Sequence, residues 1–278
     1  MASFGGTEFL SMLSPQLLKD WDNTKPYNEQ ASSIPQIFKD AMAVREEVYG
    51  EQGVPLEAEF DEDDPRSWHW VVYASVASTS SPPPDTFRAD GPVSKAEDAR
   101  RASATGQRVA VGTIRLIPPP HAPNKYAQHD KHSDAGPPPG GNVDGDVAKS
   151  HPKEPYVKLG RLAVLEPYRA LGLSQLLINT ALEYASKHPE NIQPPPSPTL
   201  LEQASQQGKH VEESYIWKGL TMVHAQTSVA KLWKKYGFSE ELVDEHGKVE
   251  TAKEEHWWEE GIEHLGMWRR LKVDHGRL

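Results

Sequence analysis

The six residues RALGLS, Arg169 to Ser174, combine types that can hold an anion. A phosphate cradle at a strand-to-helix turn needs backbone N–H groups free to point at the anion and the positive end of a helix behind them. It also needs a residue that tolerates unusual dihedrals. Gly172 supplies that tolerance, Arg169 a fixed positive charge, and the Ser174 hydroxyl a helix cap or a donor to a phosphate oxygen. Taken alone, the six residues favour an ordinary connection in which the glycine only eases the bend. The surrounding sequence decides between the two.

The rest of the composition restricts the chemistry. The 278 residues include no cysteine, which excludes disulfides, thiolate zinc sites and an acyl-cysteine intermediate. The 12 histidines lack zinc-ligand spacing such as H-E-x-x-H, so no metal is expected. His129 and His132 fall in a polar, proline-bounded stretch and read as solvated. A formal charge of −10 argues against nucleic-acid binding, which needs clustered Lys and Arg. An acidic surface instead attracts a cationic small molecule or a basic peptide. The opening MASFGGTEFLSMLSPQ has no basic start before a sustained apolar run, and no apolar stretch approaches bilayer length. A soluble, cytoplasmic protein without membrane association is therefore expected.

Twenty-four prolines and a mean hydropathy of −0.66 place part of the chain outside the core. Proline triplets interrupt the sequence and suit neither helix interiors nor central strands. They mark insertions at about 78–106, 118–154 and 189–214 within a single domain spanning 1–278. The remaining segments are periodic. IPQIFKDAMAVREEVY carries Ile34, Ile37, Phe38, Ala41 and Val48 at helical spacing. WHWVVYASV, QRVAVGTIRLI and EPYVKLGRLAV read as strands, the last stopped by Pro167. The run after RALGLS is the clearest helix, with Leu173, Leu176, Leu177, Ala181, Leu182 and Ala185 on one face. GLTMVHAQ then predicts a strand, SVAKLWKKYG a helix closing on Gly237, and HLGMWRRLKV a final strand. The expected fold is α/β, with a mixed sheet carrying helices on its faces.

In this setting RLAVLEPYRALGLSQLLI resembles the acyl-CoA motif of the GNAT superfamily of N-acyltransferases, a strand leading into Arg/Gln-x-x-Gly-x-Gly/Ala and a long helix. Arg169 and Gly172 match, and Ser174 replaces the last Gly or Ala. AVREEVYGEQGVPLEAEFDEDD is similar to the first helix and acidic loop of a bacterial-type branch of that superfamily. AQTSVAKLWKKYGF and EEGIEHLGM resemble its closing helix and last hairpin. The matches follow the family's order and cover about half the chain, mostly 36–76, 107–117, 156–188 and 219–272.

The resemblance implies a mostly antiparallel sheet whose fourth and fifth strands splay to admit acetyl-CoA as co-substrate. Backbone groups at Leu162, Ala163 and Val164 would pair with the pantetheine arm. N–H groups of Arg169, Ala170, Leu171, Gly172, Leu173 and Ser174 would hold the pyrophosphate. Transfer would be direct, to a small cationic primary amine such as glucosamine, or to a polyamine or other aliphatic amine. An alkylamine with a pKa of about 10.4 is largely protonated at neutral pH, so a base is needed. Glu59 and Asp61 in the acidic loop, His224 and His264 are the candidates. Most of the acidic run from Glu57 to Asp64 reads as an exposed charged face.

Where many relatives carry a tyrosine that protonates the departing thiolate, this chain has Trp233, which cannot act as an acid. Tyr236, three residues on, is a candidate donor or a packing residue. Trp233 and Ser174 together motivate the alternative of a non-catalytic acyl-CoA-binding module. Dimerisation is a family expectation, for which the aromatic HWWEEG region offers surface.

Overall fold

The structure, a computed structural model, describes residues 9–77, 106–121, 152, 154–194 and 216–273. The chain order is β1 (Leu10–Leu13), α1 (Gln36–Gly50), α2 (Leu56–Glu59), β2 (Trp68–Ala77), β3 (Gly106–Ile117) and β4 (Val157–Val164). There follow α3 (Leu173–Lys187), α4 (Pro189–Ile192), β5 (Leu220–Gln226) and α5 (Ala230–Lys235). The chain closes with β6 (Leu242–Val243), β7 (Val249–Thr251), β8 (Trp257–Glu259) and β9 (Ile262–Arg270). Seven strands form one sheet in the order β1-β2-β3-β4-β5-β9-β8, while β6 and β7 pair separately. Every neighbouring pair in the large sheet is antiparallel except β4–β5. This is the mixed, mostly antiparallel α/β sheet that was expected.

Side-chain alternation along β2 explains how two helices cover opposite faces of the sheet. Trp70 and Val72 enter the main core with Leu177, Ile178, Ala181, Leu182 and Ala185 of α3. Val71 and Tyr73 face the other way and pack with Ala41 of α1. The buried stripe of α1, Phe38, Ala41, Met42, Val44, Arg45 and Val48, follows the predicted period. On α3 the stripe is rotated slightly from expectation. Leu176 is 41% exposed and Ile178 fully buried, because 177, 178, 181, 182 and 185 define the face that meets the sheet.

The predicted strands and principal helices are all present. The short edge strand β1 is an addition, with Leu10 to Leu13 registered against Val72 to His69. Of the expected insertions, residues 78–105, 122–151 and 195–215 lie outside the described residues, as do His129 and His132. The start of the third expected excursion is a helical turn, α4, whose Ile192 is buried in the main core.

A buried ion network ties α1 to the acidic segment and to β3. Arg45 is fully buried and donates to Glu59 Oε1 at 2.5 Å, to Asp64 Oδ1 at 2.7 Å and to the Glu59 carbonyl at 2.7 Å. Arg115 of β3 donates to Asp64 Oδ1 at 2.7 Å and to both oxygens of Asp61. His69 Nε2 adds a contact of 2.9 Å to the Asp64 carbonyl. The acidic run is therefore not a uniformly solvated face, since Glu59 and Asp64 are buried.

Burial pushes the Asp64 carboxyl up, but Arg45 and then Arg115 outweigh it and hold it far below the usual carboxylate range. For Asp61 the same contest between burial and Arg115 ends at about 2. Both carboxylates thus have folded-state values below their unfolded ones. Their contribution to stability is present above about pH 4 and is lost as pH falls toward 2. Removing one partner of a buried pair leaves an uncompensated charge, so Arg45→Met is expected to cost about 3–5 kcal/mol in urea denaturation. In Asp64→Asn the loss of stability between pH 4 and pH 2 should be shallower than in the parent protein.

Candidate functional site

The parallel pairing of β4 with β5 covers only Val157, Lys158 and Leu159 against Thr221, Met222 and Val223. Beyond it the strands part. The cause lies on β4, where Arg161 adopts a left-handed φ of 53° and the register against β3 slips by one residue between Thr113 and Arg115. A bulge of this kind bends its strand away from the partner. The bulged residue is also held from outside the sheet. Arg161 donates to the carbonyls of Ala58 and Glu59 and to Asp61 Oδ2 at 3.1 Å. Two of the sequence-predicted bases, Glu59 and Asp61, therefore act here as counter-ions that fix the bulge and the loop beside it.

Leu165 donates its N–H to Val111 of β3, so by alternation the polar groups of Val164 turn toward the gap left by β5. Two carbonyls near the gap are already engaged: Leu162 accepts from the Tyr49 hydroxyl at 3.1 Å and Val164 from Arg169 Nε at 3.1 Å. The gap leads to the RALGLS turn, where Ala170 and Gly172 both have positive φ, 64° and 80°. At Gly172, the residue preceding α3, the left-handed conformation favours glycine and no side chain caps the helix. The first N–H groups of α3 therefore have no intrahelical acceptor. Backed by a fifteen-residue helix, they form a place where an anion is stabilised.

A cavity of about 1180 Å³ occupies the opening and continues across the sheet. Leu162, Ala163, Val164, Arg169, Ser174 and Trp233 line it, so these sequence-predicted residues come together. Asp61, His224 and His264 also reach it. Ala170, Leu171, Gly172 and Leu173 belong to the adjoining turn and helix start, where Leu171 is 67% exposed. Trp233 is buried edge-on against Phe238 at 5.4 Å and serves as cavity wall. Tyr236 does not line the cavity. It follows the last turn of α5, packs against the main core, and burial raises its hydroxyl pKa. That environment supports its packing role over the proton-donor role.

On the far side of the opening stands a chain of titratable groups. Lys158 Nζ donates to His224 Nδ1 at 2.8 Å, and His224 Nε2 lies 3.7 Å from Glu254 Oε2. Trp257 packs between the two histidines, edge-on to His224 at 4.6 Å and stacked on His264 at 6.0 Å. Of the HWWEEG aromatics, Trp257 is thus buried in the site, and Trp258 is 44% exposed. Burial raises the Glu254 carboxyl to about 6, against the pull of Lys158. Burial, with Arg115 and Arg161, lowers the Lys158 ammonium to about 8.

Neither Lys158 nor Glu254 is among the candidate site residues read from the sequence. The available signal was a lysine between Val157 and Leu159 in a core strand, turned by alternation to the opposite face. Glu254 gave no such signal, since its loop is placed by β8 and β9. Among the described residues no group of three or more His, Cys, Asp or Glu is arranged to hold a metal ion, and no helix is long and apolar enough to cross a membrane.

No family model matches the chain, and no curated protein matches it. Solved structures do. Escherichia coli ElaA is 16% identical over 94% of this chain and 98% of its own, with a TM-score of 0.39. A putative N-acetyltransferase from Lactobacillus plantarum is 14% identical over 95% and 99%, with a TM-score of 0.41. Arabidopsis thaliana NAA60, solved with a bisubstrate analogue, is 12% identical over 94% and 97%, with a TM-score of 0.40. Likeness at this level assigns no substrate and no residue role.

Gly266 of β9 sits opposite His224, and a Cβ there would collide with the Glu254 carboxylate. Gly266→Ala should therefore displace Glu254 toward water. The expected result is a fall of its pKa from about 6 toward the ordinary value of 4.5, measured by ¹³C NMR of labelled glutamate.

Proposed function

We propose that this protein is an acetyl-CoA-dependent N-acetyltransferase that transfers its acyl group directly to a small primary amine. The observation that carries this reading is the end of β4–β5 pairing at Leu159 and Val223, which opens the sheet beside the left-handed turn at Gly172. The opening suits an extended pantetheine arm whose amides pair with the exposed edge of β4 from Leu162 to Val164. The pyrophosphate would rest on N–H groups between Arg169 and Ser174, with the Arg169 guanidinium nearby. The thioester then lies between the two strands and faces the cavity that holds His224 and Glu254.

In the reaction the amine nitrogen forms a bond to the thioester carbonyl carbon and the carbon–sulfur bond breaks. The amine must first lose a proton. Glu254 suits this step: at about 6 it is ionised at neutral pH yet more basic than an ordinary carboxylate. Lys158 contacts His224 Nδ1, and the other ring nitrogen, Nε2, faces Glu254 Oε2 at 3.7 Å, so the imidazole stands between the two groups. Asp61, held at about 2 by Arg115, is a far weaker acceptor. His264 borders the same space through its stacking on Trp257. Trp233 offers no acid, so the departing thiolate takes its proton from solvent.

An amino sugar such as glucosamine remains the first choice of acceptor, since hydroxyls suit a wall of carboxylates, histidines and tryptophan. Polyamines and other aliphatic amines fit the same acidic rim. If Trp233 abolishes turnover altogether, the site is a non-catalytic acyl-CoA-binding module. CoA release measured over a panel of primary amines distinguishes the two: turnover with at least one amine is expected, and tight acetyl-CoA binding without turnover on any would refute the enzyme reading.

Gly172→Glu should weaken acetyl-CoA binding at least tenfold by calorimetry, because it strains a positive φ and adds negative charge at the pyrophosphate. Unchanged affinity in a folded variant would exclude the cradle. With Glu254 as base, kcat/KM should fall as pH drops below about 6, and Glu254→Gln should lower the plateau by about 10²–10⁴-fold.

A further inference from the structure

Six cationic side chains line the cavity, and five of them have a carboxylate partner. Arg66 is paired with Asp63, Arg115 and Arg161 with Asp61, Arg169 with Glu51 at 3.9 Å, and Lys253 with Glu240. Lys158 is the exception. Its Nζ contacts the imidazole of His224, and among the described residues no carboxylate lies within ion-pairing distance. An ammonium has three donor protons, and the bond to His224 uses one. A partly buried cation of this kind is stabilised by an anion brought to it.

The position of Lys158 relative to Glu254 gives that anion a context. The two side chains reach the two nitrogens of one imidazole, Lys158 at Nδ1 and Glu254 near Nε2. A positive and a negative group thus stand on opposite sides of the His224 ring, and both line the cavity. Resting on the acyltransferase reading above, we propose that Lys158 is the oxyanion-binding end of the acceptor subsite. The acceptor is then a compact bipolar molecule, a primary amine with a carboxylate or phosphate a few bonds away. Its amine lies toward Glu254 and its oxyanion toward Lys158. Lys158 is in this respect a specificity-determining residue and takes no part in bond making.

Matched acceptors that differ only in the anion test this directly. Ornithine against putrescine isolates a carboxylate, and glucosamine 6-phosphate against glucosamine isolates a phosphate. In the parent protein the oxyanion-bearing (anionic) member of at least one pair should exceed its partner lacking the oxyanion by about tenfold in kcat/KM, and the pair that does so identifies the oxyanion. Lys158→Met should erase that ratio, mainly through KM of the anionic member, and Lys158→Arg should restore part of it. Preference for the members lacking the oxyanion in both pairs, or a ratio unchanged by Lys158→Met, would overturn the proposal.

A second readout is independent of turnover. Reductive methylation of Lys158, followed by mass spectrometry, should be slowed several-fold by inorganic phosphate or by acetate relative to chloride at equal ionic strength. Equal labelling in all three salts would overturn the subsite. Slowed labelling with no turnover of any acceptor would retain the subsite and refute the acyltransferase reading.

Discussion

The interaction on which the site depends is the grip of the acidic segment on Arg161. A strand in the middle of a sheet would ordinarily pair along its length with both neighbours, and β4 does so with β3. Its pairing with β5 stops after Leu159 because Arg161 bulges out at positive φ, and the carbonyls of Ala58 and Glu59 with the Asp61 carboxylate hold its guanidinium there. A left-handed non-glycine residue carries a conformational cost, which persists only where surrounding contacts over-determine it. The contacts here are themselves anchored, through Arg45 and Arg115, to the buried α1 and to β3.

This arrangement assigns different work to the two halves of the cavity. Backbone supplies the half near α3, through a strand edge and open N–H groups at the start of the helix. Side chains supply the other half, through Lys158, His224, Glu254 and the Trp257 ring between the histidines. The two groups with the most useful proton affinities, at about 6 and about 8, sit in the second half because burial disfavours charge on each. Asp61 and Asp64, nearer the bulge, are held ionised by the surrounding guanidinium groups and serve as framework.

Much of the fold was legible from periodicity. The β-branched strands, the stripe on α1 and the helix after RALGLS all carry their pattern locally, and the mostly antiparallel sheet expected from the resemblance is found, with β4 and β5 parting after a short pairing. The four-residue β1 was too short to carry a period, and the one-position rotation of the α3 face is fixed by the sheet it meets. At the site, the left-handed turn at Gly172 leading into α3 was legible because its residues are contiguous in sequence. Lys158 and Glu254 were not, because they are brought together by β4, by the loop before β8 and by the close approach that Gly266 permits. The roles of Glu59 and Asp61 could not be read either, since nothing in a run of acids says which of them will meet an arginine.

On the proposed function, the gap between β4 and β5, with the turn below it, receives acetyl-CoA. Amide hydrogen exchange with and without acetyl-CoA measures this at the backbone groups concerned. New protection is expected at Leu162 to Val164 and at Gly172 to Gln175, with little change in β1 and β2. Saturating acetyl-CoA that left both segments exchanging as before would contradict it.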